Sequence, residues 1–115
     1  YNRFGHGKQV RDILHADDIC YAVEKSFSSL DEVIGRAFNV SGGRENSLSV
    51  LELIQYGCEI SGREDLSIVN PMRKADKLVC YLDSGEAYRT FGWSPKIKLL
   101  DGLNLQSQWL RENCD

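Results

Sequence analysis

The apolar residues that follow the acidic pair Asp17 and Asp18 recur every three or four positions. Ile19, Val23 and Phe27 would lie on one side of a helix at this spacing. Acidic residues favour the first turn of a helix because they oppose the positive end of its dipole. The pattern therefore predicts a first helix over about residues 17–29.

Three later segments also carry helix signals. Ser49 and Glu52 have the spacing of a capping box, in which each residue's side chain bonds the other's backbone N–H. Asp83 and Ser84 can cap a short helix that Gly92 would stop. Together with the apolar spacing near the C-terminus, these signals predict helices over about 49–62, 83–88 and 100–112.

Short apolar runs between these helices predict strands. The run "AFNVS" ends at a Gly-Gly turn, "LSIVN" ends at Pro71, and "KLVCYL" has strand length. We predict strands over 37–41, 66–70 and within 77–82. Helices and strands alternate, so the predicted class is α/β.

Length and charge limit the possible functions. With 115 residues, of which 42% are hydrophobic, the chain has the size of one domain that can bury a core. The net charge of −3 argues against a nucleic-acid partner or a membrane surface, since both favour a basic face. The sequence shows neither a long apolar segment nor a secretory signal, so we expect a cytoplasmic protein.

The sequence contains no self-sufficient catalytic or metal-binding set. The two histidines and the four cysteines are too scattered for a zinc site, and we expect reduced thiols: Cys20, Cys58, Cys80 and Cys114. No nucleophile, histidine and acid motif stands out, and no glycine-rich loop follows a strand and opens a helix. We therefore expect no metal.

The order of several motifs resembles a known family. "GKQVRDILHADDI", "AFNVSGG", "NSLSVLEL", "RKAD", "VCYLD" and "FGWSPKIKLLDGL" follow one another along the chain. This order resembles the C-terminal part of extended short-chain dehydrogenases/reductases, the NAD-dependent nucleotide-sugar epimerases and dehydratases, and most of all their CDP-sugar members. The resemblance implies the C-terminal portion of a Rossmann-type fold without its N-terminal cofactor-binding part.

The resemblance also assigns substrate-binding residues. Arg11, in "VRD", and Arg73, in an R-x-x-D motif, match arginines that contact the pyrophosphate of the nucleotide sugar in the family. Asp76 matches an aspartate that approaches the ribose hydroxyls. The residue types suit these roles, because a guanidinium offers a rigid fork of donors to phosphate and a carboxylate only accepts hydrogen bonds. Looser matches near the nucleotide or phosphate are Tyr1, Gln9 and Asn46.

The same residues also have an ordinary structural interpretation. Arg11 next to Asp12 and near Asp17 is typical of a surface ion pair. Arg73 and Asp76 have the spacing of a local ion pair. The resemblance favours the binding role for both arginines.

In the family, the cofactor loop and the catalytic tyrosine–lysine pair belong to an earlier part of the full-length enzyme. The resemblance therefore implies no catalytic and no cofactor-binding residue in this chain, and NAD only in a full-length parent. Residues 1–115 would form the substrate-binding portion, with the segment of about 12–43 packed against the missing Rossmann sheet, and the isolated chain would form a homo-oligomer. The alternative is a stand-alone, non-catalytic module that binds nucleotide sugars or another protein.

Overall fold

The computed structural model describes residues 2–114 and contains two small sheets. The strands are β1 (Asn2–Phe4), β2 (Val10–Asp12), β3 (Ser47–Ser49), β4 (Ile68–Asn70) and β5 (Val79–Cys80). β1 pairs with β4 in parallel. β2 lies between β3, which runs antiparallel to it, and β5, which runs parallel. Sequence order therefore differs from spatial order in both sheets.

Within residues 2–114, five α-helices lie between and after these strands along the chain. They are α1 (Ala16–Phe27), α2 (Leu30–Val33), α3 (Val50–Ser61), α4 (Gly85–Phe91) and α5 (Leu99–Asn113), with a 3₁₀ turn at Arg44–Asn46. All four predicted helices are present, and α4 extends three residues beyond its predicted end. The one-turn helix α2 was not predicted, because four residues are too few to show a periodic pattern.

The capping box predicted for α3 is confirmed. The Ser49 hydroxyl accepts a hydrogen bond from the Glu52 N–H at 3.2 Å, and a Glu52 carboxylate oxygen accepts from the Ser49 N–H at 2.7 Å. At the other end, Gly62 has a φ of 68°, in the left-handed region that favours glycine. Both ends of α3 are therefore set by local sequence.

The strand predicted over 37–41 is wrong. These residues form no strand, although Phe38 and Val40 pack against the hydrophobic core. A strand requires a neighbour that completes its hydrogen bonds, and no strand within residues 2–114 pairs with this segment. The apolar pattern thus reports burial here without pairing.

A fully buried tryptophan connects α1 to the segment before α5. The Trp93 indole N–H donates to the Asp18 carbonyl oxygen at 2.9 Å. The Asp18 carboxylate, also buried, accepts from the backbone N–H groups of Lys96 and Ile97 at 2.9 and 3.0 Å. The buried apolar residues around this point are Ala22, Ala87, Phe91 and Trp93.

Candidate functional site

A cleft of about 320 Å³ lies beside the start of β2. Four of the predicted site residues line it: Gln9, Arg11, Arg73 and Asp76. The cleft wall also contains Asn2, Phe4 and Val50. The fold thus brings together residues that are more than sixty positions apart in sequence.

The parallel pairing of β1 and β4 explains this convergence. Phe4 lies opposite Asn70 in the register, and the Gly5 N–H donates to the Asn70 carbonyl oxygen at 2.9 Å. Because the carboxyl ends of parallel strands meet at one edge of a sheet, the segments after β1 and β4 lie together. Arg73 and Asp76 follow β4, and the chain after β1 leads directly into β2.

Both carboxylate oxygens of Asp76 accept hydrogen bonds inside the cleft. Arg11 Nη2 donates to Oδ1 at 2.7 Å, and Gln9 Nε2 donates to Oδ2 at 3.1 Å. The side chains of Arg11 and Asp76 remain 40% and 21% exposed, so a ligand can reach both. Arg11 forms an ion pair with neither Asp12 nor Asp17, so the surface ion pair that its local sequence suggested is not present.

Arg73 is held by an aromatic ring. Its guanidinium carbon lies 3.8 Å from the centroid of the Phe4 ring, which is within the range of a cation–π interaction. Within residues 2–114, no carboxylate lies within salt-bridge distance of Arg73. Two positive charges and one negative charge therefore line the cleft, a balance that favours an anionic ligand.

The buried Gln9 side chain connects Phe4 to Asp76 at the base of the cleft. It is only 5% exposed, and its Nε2 donates to the Phe4 carbonyl oxygen at 2.7 Å as well as to Asp76. Its Oε1 is buried and has no hydrogen-bond partner within the described part of the chain. Gln9 therefore holds the carboxylate of Asp76 and the backbone of β1 in a fixed relation.

Two predicted site residues are not part of this arrangement. The Asn46 side-chain oxygen accepts from the Leu99 N–H at 2.9 Å, at the start of α5, and its carbonyl oxygen accepts from the Ile13 N–H at 2.9 Å. Asn46 thus caps a helix outside the cleft. Tyr1 lies outside the described residues. Sequence reasoning missed Phe4, because an aromatic residue in an apolar or turn context gives no separate signal for ion binding.

The aspartate of "VRD" has a structural role. Asp12 Oδ2 accepts hydrogen bonds from the Ser41 hydroxyl, the Gly43 N–H and the Leu82 N–H, the last two at 3.3 and 3.0 Å. Gly42 lies between Ser41 and Gly43 in the sequence. A Cβ at this position would lie 2.0 Å from the Ile13 carbonyl oxygen, so only glycine fits. Asp12 therefore joins the Gly-Gly turn to the end of β5.

One tyrosine and one lysine have the i, i+4 spacing of the catalytic pair of the resembled family. They are Tyr21 and Lys25 in α1, and neither lines the cleft. The Tyr21 ring packs against the core and lies 3.6 Å from Lys96 Nζ and 5.6 Å from Lys25 Nζ. Contact with Lys96 lowers the pKa of Tyr21, burial opposes this shift, and Lys25 adds to it. This spacing therefore belongs to core packing.

The Gly5-His6-Gly7 turn differs from a dinucleotide-binding loop. It leads into β2 rather than into a helix, so it lacks the helix N-terminus that binds a dinucleotide pyrophosphate. Across residues 2–114, no three His, Cys, Asp or Glu side chains are grouped closely enough to hold a metal ion. No helix within that range is long and apolar enough to cross a bilayer.

Curated proteins with similar sequence are nucleotide-sugar enzymes. The chain is 36% identical over 109 residues to CDP-paratose 2-epimerase of Salmonella typhi, which covers 91% of the chain and 31% of that protein. It is 30% identical over 112 residues to UDP-glucuronate 4-epimerase of Thermodesulfobacterium geofontis, covering 97% of the chain and 33% of that protein. The chain thus spans about a third of the length of these relatives. No protein-family model matches it.

Solved structures with a similar fold are also nucleotide-sugar epimerases. UDP-glucose 4-epimerase of Thermotoga maritima, solved with UDP-glucose, matches with a TM-score of 0.78 at 28% identity, over 99% of the chain and 35% of that protein. UDP-glucuronic acid 4-epimerase of Bacillus cereus, in complex with UDP-glucuronic acid and NAD, matches with a TM-score of 0.82 at 24% identity, over 96% and 35%. The predicted resemblance and the predicted fold are thereby confirmed.

Proposed function

We propose that the chain binds the nucleotide diphosphate of a nucleotide sugar, because its sequence and fold are similar to the C-terminal portion of extended short-chain dehydrogenases/reductases. The observation that carries this proposal is the single cleft shared by Arg11, Arg73 and Asp76. A diphosphate carries two or more negative charges, and the two guanidinium groups match that charge with rigid, permanently charged donors.

The existing contacts leave capacity for a ligand. Arg11 uses Nη1 on the Val10 carbonyl oxygen and Nη2 on Asp76, while its Nε–H and the second hydrogens of both Nη groups stay available. Each Asp76 oxygen accepts one hydrogen bond and retains a lone pair for a sugar or ribose hydroxyl. The cleft can therefore bind phosphate and hydroxyl groups without breaking its own network.

We propose CDP-sugars as the substrate class of the parent enzyme and inversion at C2 of the sugar as its reaction. The support is the 36% identity to CDP-paratose 2-epimerase, compared with 30% to the UDP-glucuronate enzyme. In such an enzyme NAD accepts and returns a hydride. The residues of this chain would bind and orient the sugar nucleotide, which increases the rate by positioning. The segment 12–43 would pack against the Rossmann sheet of the parent.

Calorimetric titration of a CDP-sugar into the protein tests the binding site. Each of Arg11→Ala and Arg73→Ala removes a charge-assisted contact of roughly 1.5 to 3 kcal/mol, so we expect affinity to fall by about 10- to 150-fold. Lysine at either position should restore only part of the affinity, since it cannot form the bidentate fork.

Arg89→Ala is the matched control, because Arg89 also forms an ion pair, with Glu86 at 3.1 Å, but does not line the cleft. It should bind with wild-type affinity. Wild-type affinity in both cleft variants would exclude the proposed site. The same titration with NAD should show no tight binding by this chain, and saturable binding at micromolar NAD would reveal a cofactor site.

A further inference from the structure

We propose that Phe4 is a positioning residue, whose ring orients the guanidinium of Arg73 toward the diphosphate. This inference rests on the proposed function for its ligand, but its geometry stands on the structure. The guanidinium carbon of Arg73 lies 3.8 Å from the ring centroid of Phe4, and both residues line the same cleft. A guanidinium that stacks on an aromatic ring keeps its N–H donors, which lie in its own plane, for phosphate oxygens.

The backbone of Phe4 is bound on two sides, which places its ring next to the loop after β4. The β1–β4 register places Phe4 opposite Asn70, only three residues before Arg73. Its carbonyl oxygen accepts the hydrogen bond from the buried Gln9 at 2.7 Å. Gly5, which follows it, would have a Cβ 3.2 Å from the side chain of Met72, so the two segments are in close contact. These contacts therefore hold Phe4 next to the loop after β4, which contains Arg73.

The Phe4 ring can orient Arg73 because the nearby Asp76 carboxylate does not: that carboxylate binds Arg11 and Gln9 instead. Asp76 stands three residues later, at the spacing of a local ion pair, but Arg11 and Gln9 take its two oxygens. Arg73 lies on an exposed loop without a strand or helix to limit its rotamers. A free arginine side chain loses much conformational entropy when it binds a ligand, and stacking on Phe4 removes part of that loss in advance.

The binding test uses Phe4→Leu, which keeps an apolar side chain but removes the aromatic face, with Phe4→Tyr as the conservative control. We expect Phe4→Leu to weaken binding of a CDP-sugar and of inorganic pyrophosphate by about 2- to 5-fold, as a partly exposed cation–π contact implies. Phe4→Tyr should bind like the wild type. In an Arg73→Ala background, Phe4→Leu should have no further effect, because the group that it positions is gone. An equal loss in both backgrounds would overturn the positioning role and leave Phe4 a structural residue.

A ligand-free measurement separates this inference from the proposed function. In NMR spectra, the Arg73 side-chain protons should be shifted upfield by the Phe4 ring in the wild type and in Phe4→Tyr, but not in Phe4→Leu. Unshifted protons in the wild type would overturn the inference, whether or not nucleotide sugars bind. Shifted protons in a protein that binds neither CDP-sugar nor pyrophosphate would instead refute the proposed function and, with it, the role of Phe4 in binding.

Discussion

The cleft beside β2 and the outer face of α1 differ in how far their side chains are satisfied. In the cleft, Asp76 is bound at both oxygens and Gln9 is almost fully buried. On α1, the apolar stripe of Ile19, Val23 and Phe27 is 47%, 53% and 68% exposed. The polar side chains of the cleft thus bind one another, whereas residues 2–114 leave the apolar stripe of α1 about half-exposed.

The inner face of α1 is well packed, in contrast to its exposed apolar stripe. Asp18 is 2% exposed, and its carboxylate and carbonyl oxygens accept three hydrogen bonds from the segment 93–97. The difference therefore concerns surfaces, not the stability of the helix itself. An exposed apolar stripe of this kind favours association with another apolar surface.

The largest expected effect is on the state of association. We expect the chain to form a dimer or a larger assembly at low micromolar concentration, because association would cover the α1 stripe. Val23→Lys combined with Phe27→Lys should yield a particle with the mass of one chain, 13.0 kDa. Light scattering over a dilution series measures this mass.

The control for that experiment is Leu66→Lys, which changes an 81% exposed leucine outside α1 and should leave the mass unchanged. A well-folded wild-type monomer across the whole dilution series would show that the α1 stripe does not drive association. The contrast between the cleft and α1 would then have no consequence in solution.

A second test concerns the inner face of α1. Asp18→Ala removes the buried carboxylate that accepts from the backbone N–H groups of Lys96 and Ile97, and each donor left unsatisfied costs roughly 1 to 3 kcal/mol. We expect the free energy of unfolding to fall by about 2 to 4 kcal/mol in urea denaturation. Asp17→Ala, at a side chain that is 77% exposed, should change it by less than about 0.5 kcal/mol. Equal effects at the two positions would mean that the Asp18 network contributes little.

A third test removes the hydrogen bonds that Gln9 donates at the base of the cleft. Gln9→Leu leaves the Phe4 carbonyl oxygen and one Asp76 oxygen without their donor, so we expect a loss of about 1 to 3 kcal/mol in the free energy of unfolding. Gln108→Leu on α5 is matched, since Gln108 donates to Glu112 at 2.8 Å but on the surface. It should be nearly neutral. If Gln9→Leu is equally neutral, the cleft does not depend on this connector.

The smallest expected effect is a change in titration. Contact with Lys96, and to a lesser extent Lys25, lowers the pKa of Tyr21 in the folded state below its ordinary value of 10.0. Between that lowered pKa and about 10, the unfolded chain retains a proton that the folded chain has lost, so Tyr21 makes stability rise with pH in this window. The NMR titration of the Tyr21 ring carbon that carries the hydroxyl should have its midpoint below 10.0, and Lys96→Gln should raise it. A midpoint unchanged by Lys96→Gln would show that this lysine does not stabilise the tyrosinate.

Sequence alone predicted the elements whose stability is local. The capping box at Ser49 and Glu52 and the left-handed Gly62 lie within or next to α3, and the acidic start of α1 precedes its own apolar stripe. Helix signals of this kind involve residues three or four positions apart, so they are legible without the fold. Arg11 and Arg73 were predicted as site residues only through the resemblance of their motifs to a known family, since their local pattern alone is also typical of surface ion pairs.

Tertiary structure alone decided which residues meet. The Arg11–Asp76 pair joins residues 65 positions apart, and no local pattern announced β1 or β2, which have three residues each. The same dependence on distant partners explains why the prediction of a strand over 37–41 was wrong: within residues 2–114, no strand pairs with this apolar segment. Strand pairing, ion pairs and the stacking of Arg73 on Phe4 all require a second segment in the right place. That placement follows from the packing of the whole chain, so the motifs predicted which residue types to look for, while the fold decided which of them lie in contact.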